Sequence, residues 1–486
     1  MKALLGMITS VILAFCCICF PSCKKEQKQG DRYEINAEYR EETQSVSGTV
    51  KVTFVNTSNA TLEVLKFNLY PNAYRKNALY PAVSEELFEL SYYAGESYGE
   101  ITVTSVNGAK TWAVGGADEN ILTVTLISPL AKNEEITLDL SFVTELAKVE
   151  HRLGVGRGVV NLVNFYPRLC KIENGVFLED ESHSFGNPFR SDIANYLVRL
   201  TTPSRYEILG VRGEVVKGLE SKTKYEFSLK NARDFACVLA EKPQILTTEV
   251  VAGKKEVEIE YFSQDLKGGE EILEVAKEAV AYFSESFGSY LYPTLTIIRS
   301  KNAIPVFSNT AILFLSENLS EKELLAKVVE GIARQWWGIA VGSDEVEEAW
   351  QTESMIAYSA ICFFEKHDEY GLTRSSLVRD SLVAYKEYFS VYGSIFGGVD
   401  TRMSRSLKAY ANAYEYERLS KDKGVIMLDT LRKSVGDKPF FSSMKDYYKA
   451  NCLGWANPKK LCDAFSKNGL DTEGFFKAFL LGKAVI

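Results

Sequence analysis

Histidine is scarce in this sequence: the 486 residues contain only His151, His183 and His367. No two of them stand one helical turn apart, which is the spacing at which two imidazoles share a metal ion. The cysteines are scattered too, and no close pair of cysteines or cluster of cysteine with histidine occurs. These absences argue against a zinc site built on histidine or cysteine.

Acidic residues outnumber basic residues in this sequence. The chain has 56 Lys and Arg against 64 Asp and Glu, a formal net charge of -8. Nucleic-acid binding needs clustered Lys and Arg against the phosphates, and no basic run follows the first residues of the chain. We therefore expect no nucleic-acid partner. A second apolar run long enough to cross a membrane is also absent.

The first residues have the pattern of an export signal. Lys2 precedes an uncharged apolar run over residues 4–20, and the small residue Ser22 precedes Cys23. The sequence Phe-Pro-Ser-Cys resembles a bacterial lipobox, in which the cysteine is lipidated and becomes the mature N-terminus. We predict a signal peptide over residues 1–22 and a lipidated tether over residues 23–32. The protein would then be anchored by lipid to a bacterial membrane in the cell envelope, outside the cytoplasm. An ordinary cleaved signal and an uncleaved anchor are the alternatives.

Beyond Cys23, the mature chain keeps five cysteines. They are Cys170, Cys237, Cys362, Cys452 and Cys462. Five scattered thiols are not a disulfide framework. One pair has the chance to form outside the cytosol, with Cys452 and Cys462 nearest in sequence, and the sequence does not decide whether it does.

The pattern of the mature chain changes once. Residues 33–240 are short alternating runs broken by turn residues, which predicts a β domain. Near Pro243 a helical period begins, a strand over residues 294–299 follows, and the chain is then largely helical. We expect an α+β protein of two domains, all-β over residues 33–240 and mostly helical over residues 241–486.

One stretch of the helical half is specific. Residues 328–338 read VVEGIARQWWG, and residues 350–358 read WQTESMIAY. The stretch resembles the aminopeptidase N family of zinc metallopeptidases, the gluzincins, whose signature runs roughly HEIAHQWWG, eighteen residues, then the Glu of WLNEGFATY. Eighteen residues also separate Arg334 from Glu353. The resemblance implies a saddle-like N-terminal β domain followed by a thermolysin-like, mostly helical catalytic-type domain.

The residues at the zinc-binding positions of that family differ here. Glu330 stands at the first histidine position, Arg334 at the second, and Gly331 at the position of the general-base glutamate. Only the third ligand, Glu353, is retained. A guanidinium has no lone pair to donate and repels a dication. We therefore expect no zinc, although zinc is what the resemblance implies.

Two further landmarks of the family are altered. Its transition-state tyrosine lies two residues before a Lys-Gly pair, and Lys421 stands there. Tyr414 and Tyr416 are near, but we expect neither to take that place. The family's glutamate for the substrate amino group belongs close to Phe307. The resemblance thus implies that both substrate contacts are lost.

Arg334 is the candidate replacement for the metal charge. We expect it to pair with Glu330, one helical turn away, and with Glu353 in a partly buried cleft. The alternative is a solvated pair of Glu330 and Arg334. Nothing in the sequence explains the helix-destabilising Gly331.

Two more groups of residues near the motif are expected to have structural roles and no role in binding a ligand or metal. Trp336 and Trp337 are predicted to pack in the core. Glu345, Glu347 and Glu348 are interpreted as a solvated helix start that favours the helix dipole.

The leading functional hypothesis is a catalytically degenerate, aminopeptidase-like envelope lipoprotein. It would serve as a binding or scaffolding module for an unidentified protein or peptide. The alternative is a metallopeptidase or other hydrolase with a non-standard site, in which Glu330 and Glu353 hold a hard cation, against the charge of Arg334. A serine or cysteine hydrolase would lack an adjacent histidine base.

Overall fold

A computed structural model describes residues 30–218 and 221–486. The predicted signal peptide, the lipidated Cys23 and most of the tether lie outside the described residues. Within them, no helix is both long and apolar enough to cross a bilayer.

The N-terminal half is built from strands because its apolar and polar residues alternate. In β13, for example, every second residue is buried. The elements are β1 (Asp31–Arg40), β2 (Ser45–Val55), β3 (Leu62–Asn68), α1 (Phe88–Ser91), β4 (Glu100–Asn107), β5 (Ala109–Gly115), β6 (Ile121–Leu130), β7 (Glu135–Glu145), β8 (Leu153–Val155), β9 (Val159–Val163), β10 (Arg168–Leu169), β11 (Ile172–Glu173), β12 (Val176–Phe177), β13 (Ala194–Pro203), β14 (Tyr206–Gly210), β15 (Gly213–Gly218), β16 (Lys222–Ala232) and β17 (Ala236–Glu241).

These strands form three main sheets. The largest has the order β15-β16-β13-β1-β2-β7-β4, and only its β1–β13 pair is parallel among the pairs described. Two four-stranded sheets follow, β10-β3-β6-β5 and β14-β17-β9-β8, beside the small hairpin β11-β12. The antiparallel layout is that of meanders and hairpins, in which one face of each sheet is buried.

The C-terminal half begins with a mixed sheet and becomes helical. Its elements are β18 (Ile245–Ala252), β19 (Lys255–Phe262), α2 (Gly269–Ser286), β20 (Thr294–Ser300), β21 (Val306–Asn309), β22 (Ile312–Ser316), α3 (Glu321–Ala333), β23 (Val341–Ser343), α4 (Ala349–Phe364), α5 (Arg374–Phe396), α6 (Ala413–Tyr416), a π-helix (Glu417–Asp422), α7 (Lys423–Val435), α8 (Asp437–Asn451), β24 (Gly454–Ala456), α9 (Pro458–Lys467) and α10 (Glu473–Leu480). The sheet order is β18-β19-β20-β22-β21, with β23 paired to β24. The expected α+β architecture of a β-rich half followed by a helical half is confirmed.

Two helices position the motif. A capping box, in which Ser320 and Glu323 bond each other's backbone amides, starts α3. Every residue of α4 is buried except Glu353. A helix that is apolar on all sides has to be enclosed by others, and α4 packs against α3 and α7. Glu353 is therefore the one residue of α4 that is only partly buried.

The two halves are joined by buried arginines. Arg233, between β16 and β17, donates to the carbonyl oxygens of Ile339 and Gly454 in the C-terminal half. Arg190 of the N-terminal half makes two bonds to the Asp344 carboxylate, at 2.9 and 3.0 Å. These contacts hold the surface of the β-rich half against the segment between α3 and α4. The predicted boundary at residues 240 and 241 falls at the end of β17.

All five cysteines of the described chain are free. Burial raises the pKa of the Cys237 and Cys362 thiols, in the latter case to about 12. The pairing of Cys452 with Cys462, which the sequence left open, is not present.

Candidate functional site

Arg334 lies at the end of α3 and forms two ion pairs. Its Nη1 donates to Glu345 Oε2 at 2.8 Å, and its Nη2 donates to Glu353 Oε1. The three side chains are 13%, 7% and 17% exposed. Although burial opposes the charge, the two carboxylates hold the pKa of Arg334 above its usual range. The structure thus forms the predicted Arg334–Glu353 pair, at the position where the family resemblance implies a metal.

The third expected member of this cluster, Glu330, is not paired with Arg334, and this part of the prediction was wrong. Glu330 instead accepts from Lys327 at 2.8 Å and pairs with Lys421 at 2.6 Å. Burial alone would raise its pKa, but the two ammonium groups lower the pKa of Glu330 to about 2. Lys421 stands at the tyrosine position of the family motif, and Glu330 stands at its first histidine position. These two residues are therefore paired with each other.

Glu345 corrects a second expectation. It was interpreted as part of a solvated helix start, yet it is buried and takes the place beside Arg334 that Glu330 was expected to fill. The cause is the chain reversal after α3, where Gly338 has φ +108° and its position for a Cβ lies 3.3 Å from both Arg334 Nη1 and Glu345 Oε1. A side chain there would wedge between the two ions. Glu347 is exposed, as expected.

Gly331 has a structural reason that the sequence did not reveal. A Cβ at this position would lie 2.1 Å from Leu313 Cδ1 of β22 and 3.0 Å from Val306 Cγ2 of β21. Ser308 Oγ also donates to the carbonyl oxygen of Gly331 at 2.9 Å. The sheet edge thus occupies the volume where a general-base glutamate would begin. The loss of that base stays a prediction, and the structure shows close packing at Gly331.

Tyr416 enters the site although neither nearby tyrosine was expected there. Its side chain is 6% exposed. Burial, with a further contribution from Glu353 and Glu345 that Arg334 opposes, holds the pKa of the Tyr416 phenol well above its usual range. The segment that follows is a π-helix, whose i to i+5 turn brings Tyr416 and Lys421 to the same side. The α-helical period assumed from sequence would separate them.

Phe307 lies on β21, where the amino-binding glutamate was expected. It is buried, and its ring stacks on Phe314 with centroids 4.3 Å apart. The guanidinium carbon of Arg152 lies 4.8 Å from the Phe307 ring centroid. An aromatic ring covered by a cation thus stands where the family resemblance implies a carboxylate.

A segment of the β-rich half, the cleft loop (residues 183–190), closes over these side chains. Phe185 packs on Tyr416 with ring centroids 5.4 Å apart, and Asn187 Nδ2 donates to Glu345 Oε1 at 3.1 Å. Beside Arg334 a cavity of about 30 Å³ remains, which Asn187 and Glu345 help to line. That is the space of about one water molecule. The cleft is therefore largely filled next to the ion pairs.

These residues do not fit a zinc ion. A zinc site needs nitrogen, sulfur or carboxylate donors that converge on one point. At the two histidine positions, Glu330 lies between two ammonium groups, and Arg334 occupies the space in front of Glu353. A dication would have to displace the guanidinium that Glu353 binds, and would meet its charge.

Two other places in the described chain have features of a ligand site, a group of possible metal ligands and a cavity. Ligand atoms of Glu278, His367 and Glu369 lie within 4.8 Å of one another at the surface, a grouping that the sequence search missed because it joins α2 to the segment after α4. A cavity of about 450 Å³ lies between β8, β9 and the start of the C-terminal half. Its acidic residue Glu241 is paired with Arg205 at 3.2 Å. Neither place adjoins the motif in the chain.

Comparison with solved structures identifies the fold. The M1 zinc metallopeptidase from Deinococcus radiodurans matches with a TM-score of 0.67 and 14% identity, over 94% of this chain and 95% of that one. A variant of an M1 zinc metallopeptidase from the same organism, bound to a Tyr-Ser-Ala substrate, matches at 0.66 and 16% identity, over 94% and 96%. A two-domain M1 variant bound to L-tryptophan gives the same values.

No protein-family model and no curated protein matches this sequence. The likeness to the solved structures therefore establishes the fold: the chain has the two-domain architecture of the M1 zinc metallopeptidases. The resemblance to the aminopeptidase N family that the motif predicts is confirmed at this level.

Proposed function

We propose that this protein is a catalytically degenerate member of the M1 peptidase fold that acts as a binding or scaffolding module. The observation that carries the proposal is the position of Arg334, whose guanidinium bridges Glu345 and Glu353 where a metallopeptidase would hold its metal. A bridging guanidinium provides positive charge without a site for activating water.

The other chemical requirements of the reaction point the same way. Peptide hydrolysis by a zinc enzyme needs a general base beside the metal-bound water, and Gly331 offers no side chain there. The ring of Phe307 cannot bind an amino group as a carboxylate does. The chain has the complete two-domain architecture but lacks the general base and the amino-binding carboxylate. Its surfaces remain suited to binding.

The kind of partner is suggested by the similar structures. They are described as bound to the peptide Tyr-Ser-Ala, to L-tryptophan and to L-arginine. By analogy, the cleft between the two halves of this chain would receive an amino acid or peptide without cleaving it. The alternative with a carboxylate-bound cation is not favoured, because Glu330 and Glu353 are both engaged in ion pairs.

The test is aminopeptidase turnover by the purified full chain. With p-nitroanilides of leucine, phenylalanine and arginine as substrates, we expect no hydrolysis above that of Glu353→Gln. Added zinc or a chelator should change nothing. Hydrolysis by the wild type that a chelator abolishes and Glu353→Gln lacks would show that the protein is an enzyme.

We further propose that the module is lipid-anchored at Cys23 in the bacterial envelope. The support is the signal pattern that ends at that residue. Radioactive palmitate should label the chain in a bacterial host and should not label Cys23→Ser. Label on the serine variant, or none on the wild type, would refute the anchor.

A further inference from the structure

Arg152 is a cleft cation with no acidic partner. Its Nη2 donates to the carbonyl oxygen of Gly186 at 3.0 Å. Its guanidinium carbon lies 4.8 Å from the ring centroid of Phe307 and 5.4 Å from that of Phe189. Among the described residues, no ion pair within 4.0 Å includes Arg152. A guanidinium has five N–H donors, so most of its hydrogen-bonding capacity is uncommitted.

The charged side chains at the motif are paired. Lys327, Arg334 and Lys421 form ion pairs with Glu330, Glu345 and Glu353. Arg152 adds a positive charge outside these pairs, and burial, which outweighs the influence of Tyr74 and Glu345, lowers its pKa to about 10. A positive charge that is removed from water without a counter-ion is costly. An incoming anion would relieve that cost.

A second uncommitted donor stands close by. The Tyr416 hydroxyl is buried and has no hydrogen-bond partner among the residues described. Tyr416 and Arg152 lie close enough to influence each other electrostatically, and both contact the cleft loop, Tyr416 through Phe185 and Arg152 through Gly186. A buried hydroxyl without a partner is uncommon in native proteins. The two side chains meet the same residue: Arg152 Nη2 donates to the carbonyl oxygen of Gly186, and a Cβ built on Gly186 would lie 3.4 Å from Tyr416 Cζ.

We propose that Arg152 is the recognition point for the carboxylate of an amino acid or peptide, with the Tyr416 hydroxyl as a second donor. Guanidinium groups bind carboxylates with two parallel bonds. Arg152 is only partly buried, so the ligand approaches it from the solvent side and the filled space beside Arg334 need not open. The Tyr416 hydroxyl is enclosed, and the cleft loop has to shift before that hydroxyl can donate to the same ligand. Phe189 and Phe307 provide apolar surface for an adjacent side chain. This proposal rests on the proposed binding function and names what is bound.

The chemistry is the reverse of that implied by the family resemblance. The resemblance assigns a carboxylate near Phe307 to the substrate's amino group. In this chain the same end of the cleft presents a cation on an aromatic ring, so a free amine is repelled and a carboxylate is attracted. A single guanidinium and one hydroxyl match the charge of a carboxylate better than that of phosphate.

Isothermal titration of the full chain in detergent tests this. The probes are N-acetyl-L-phenylalanine, its amide N-acetyl-L-phenylalaninamide, the amine L-phenylalaninamide, and inorganic phosphate. We expect the acid to bind about tenfold or more tightly than either amide, the order of magnitude of one hydrogen-bonded charge pair. Arg152→Gln should abolish this preference, and Arg152→Lys should keep part of it.

Arg379→Gln is the matched control, because Arg379 is an exposed guanidinium on α5. It should bind like the wild type, and thermal melting verifies that the Arg152 variants are folded. The proposal is overturned if the acid fails to bind at millimolar concentration or binds no better than its amide. It is also overturned if the amine or phosphate binds better, or if Arg152→Gln keeps the preference. Those outcomes leave the proposed function standing, which only metal-dependent turnover would defeat.

Discussion

At the scale of single residues, the cleft is held by a few charges whose removal has calculable consequences. Arg334 separates the carboxylates of Glu345 and Glu353, and all three side chains are mostly buried. Removing one member of a buried ion pair leaves an uncompensated charge. The arginine therefore stabilises the fold at the place where the family resemblance implies a metal.

Replacing Arg334 by methionine should destabilise the protein by about 3–5 kcal/mol, because two facing carboxylates lose their counter-ion. Urea denaturation measures the change, with Arg379→Met as the exposed control. The triple variant that adds Glu345→Gln and Glu353→Gln should recover most of the loss. Equal stability of the Arg334 and Arg379 variants would contradict the buried cluster.

Glu330 predicts a dependence on pH. Its pKa is lowered from 4.5 to about 2 in the folded chain, so the stability that it contributes is complete above pH 4.5 and is lost as the pH falls towards 2. Glu330→Gln should therefore be less stable than the wild type at pH 7, with a difference that shrinks below pH 4.5. Urea denaturation over this range checks it, and a difference independent of pH would refute it.

The pairing of these residues was only partly predictable. The eighteen-residue spacing of the motif predicted that Arg334 and Glu353 face each other. The prediction succeeded because the two residues belong to two buried, packed helices. The partner Glu345 lies on the reversal between those helices, whose path depends on the backbone of Gly338. Lys421 meets Glu330 from within a π-helix, Glu417–Asp422. Neither backbone feature has a periodic signal in the sequence.

At the scale of elements, α3 is fitted against the edge of the mixed sheet through Gly331. The contact leaves no volume for a side chain between the helix and Leu313. Helix propensity and packing therefore have opposite effects on stability at this position. The larger of the two decides whether a substitution of Gly331 stabilises or destabilises the protein.

Gly331→Ala should destabilise the protein by about 1–3 kcal/mol through overpacking, although alanine is worth about 1 kcal/mol over glycine in a free helix. The control is Gly393→Ala in α5, where a Cβ meets only Val399 Cγ2 at 3.6 Å. That variant should be at least as stable as the wild type. Thermal unfolding distinguishes them, and stabilisation by Gly331→Ala would contradict the close contact.

At the scale of the whole molecule, the order of elements followed largely from periodicity: alternation predicted the β-rich half and the helical period predicted α2, whereas the motif of the family resemblance implied α3 and α4. What periodicity could not predict is how the halves meet. The cleft loop has no period of its own, and its position depends on contacts such as those of Arg190 with Asp344 and of Asn187 with Glu345. Arg152 contacts the same loop through the carbonyl oxygen of Gly186.

If the Arg334 guanidinium takes the place of the metal, the motif binds no zinc, and elemental analysis of the purified protein measures this. The full chain is purified, incubated with zinc, passed through gel filtration and analysed by mass spectrometry, beside Glu353→Gln and His367→Gln. His367→Gln removes the imidazole of the surface group with Glu278 and Glu369. We predict zinc far below one ion per chain in the wild type and no change in Glu353→Gln. Stoichiometric zinc that persists in His367→Gln and is lost in Glu353→Gln would contradict the account.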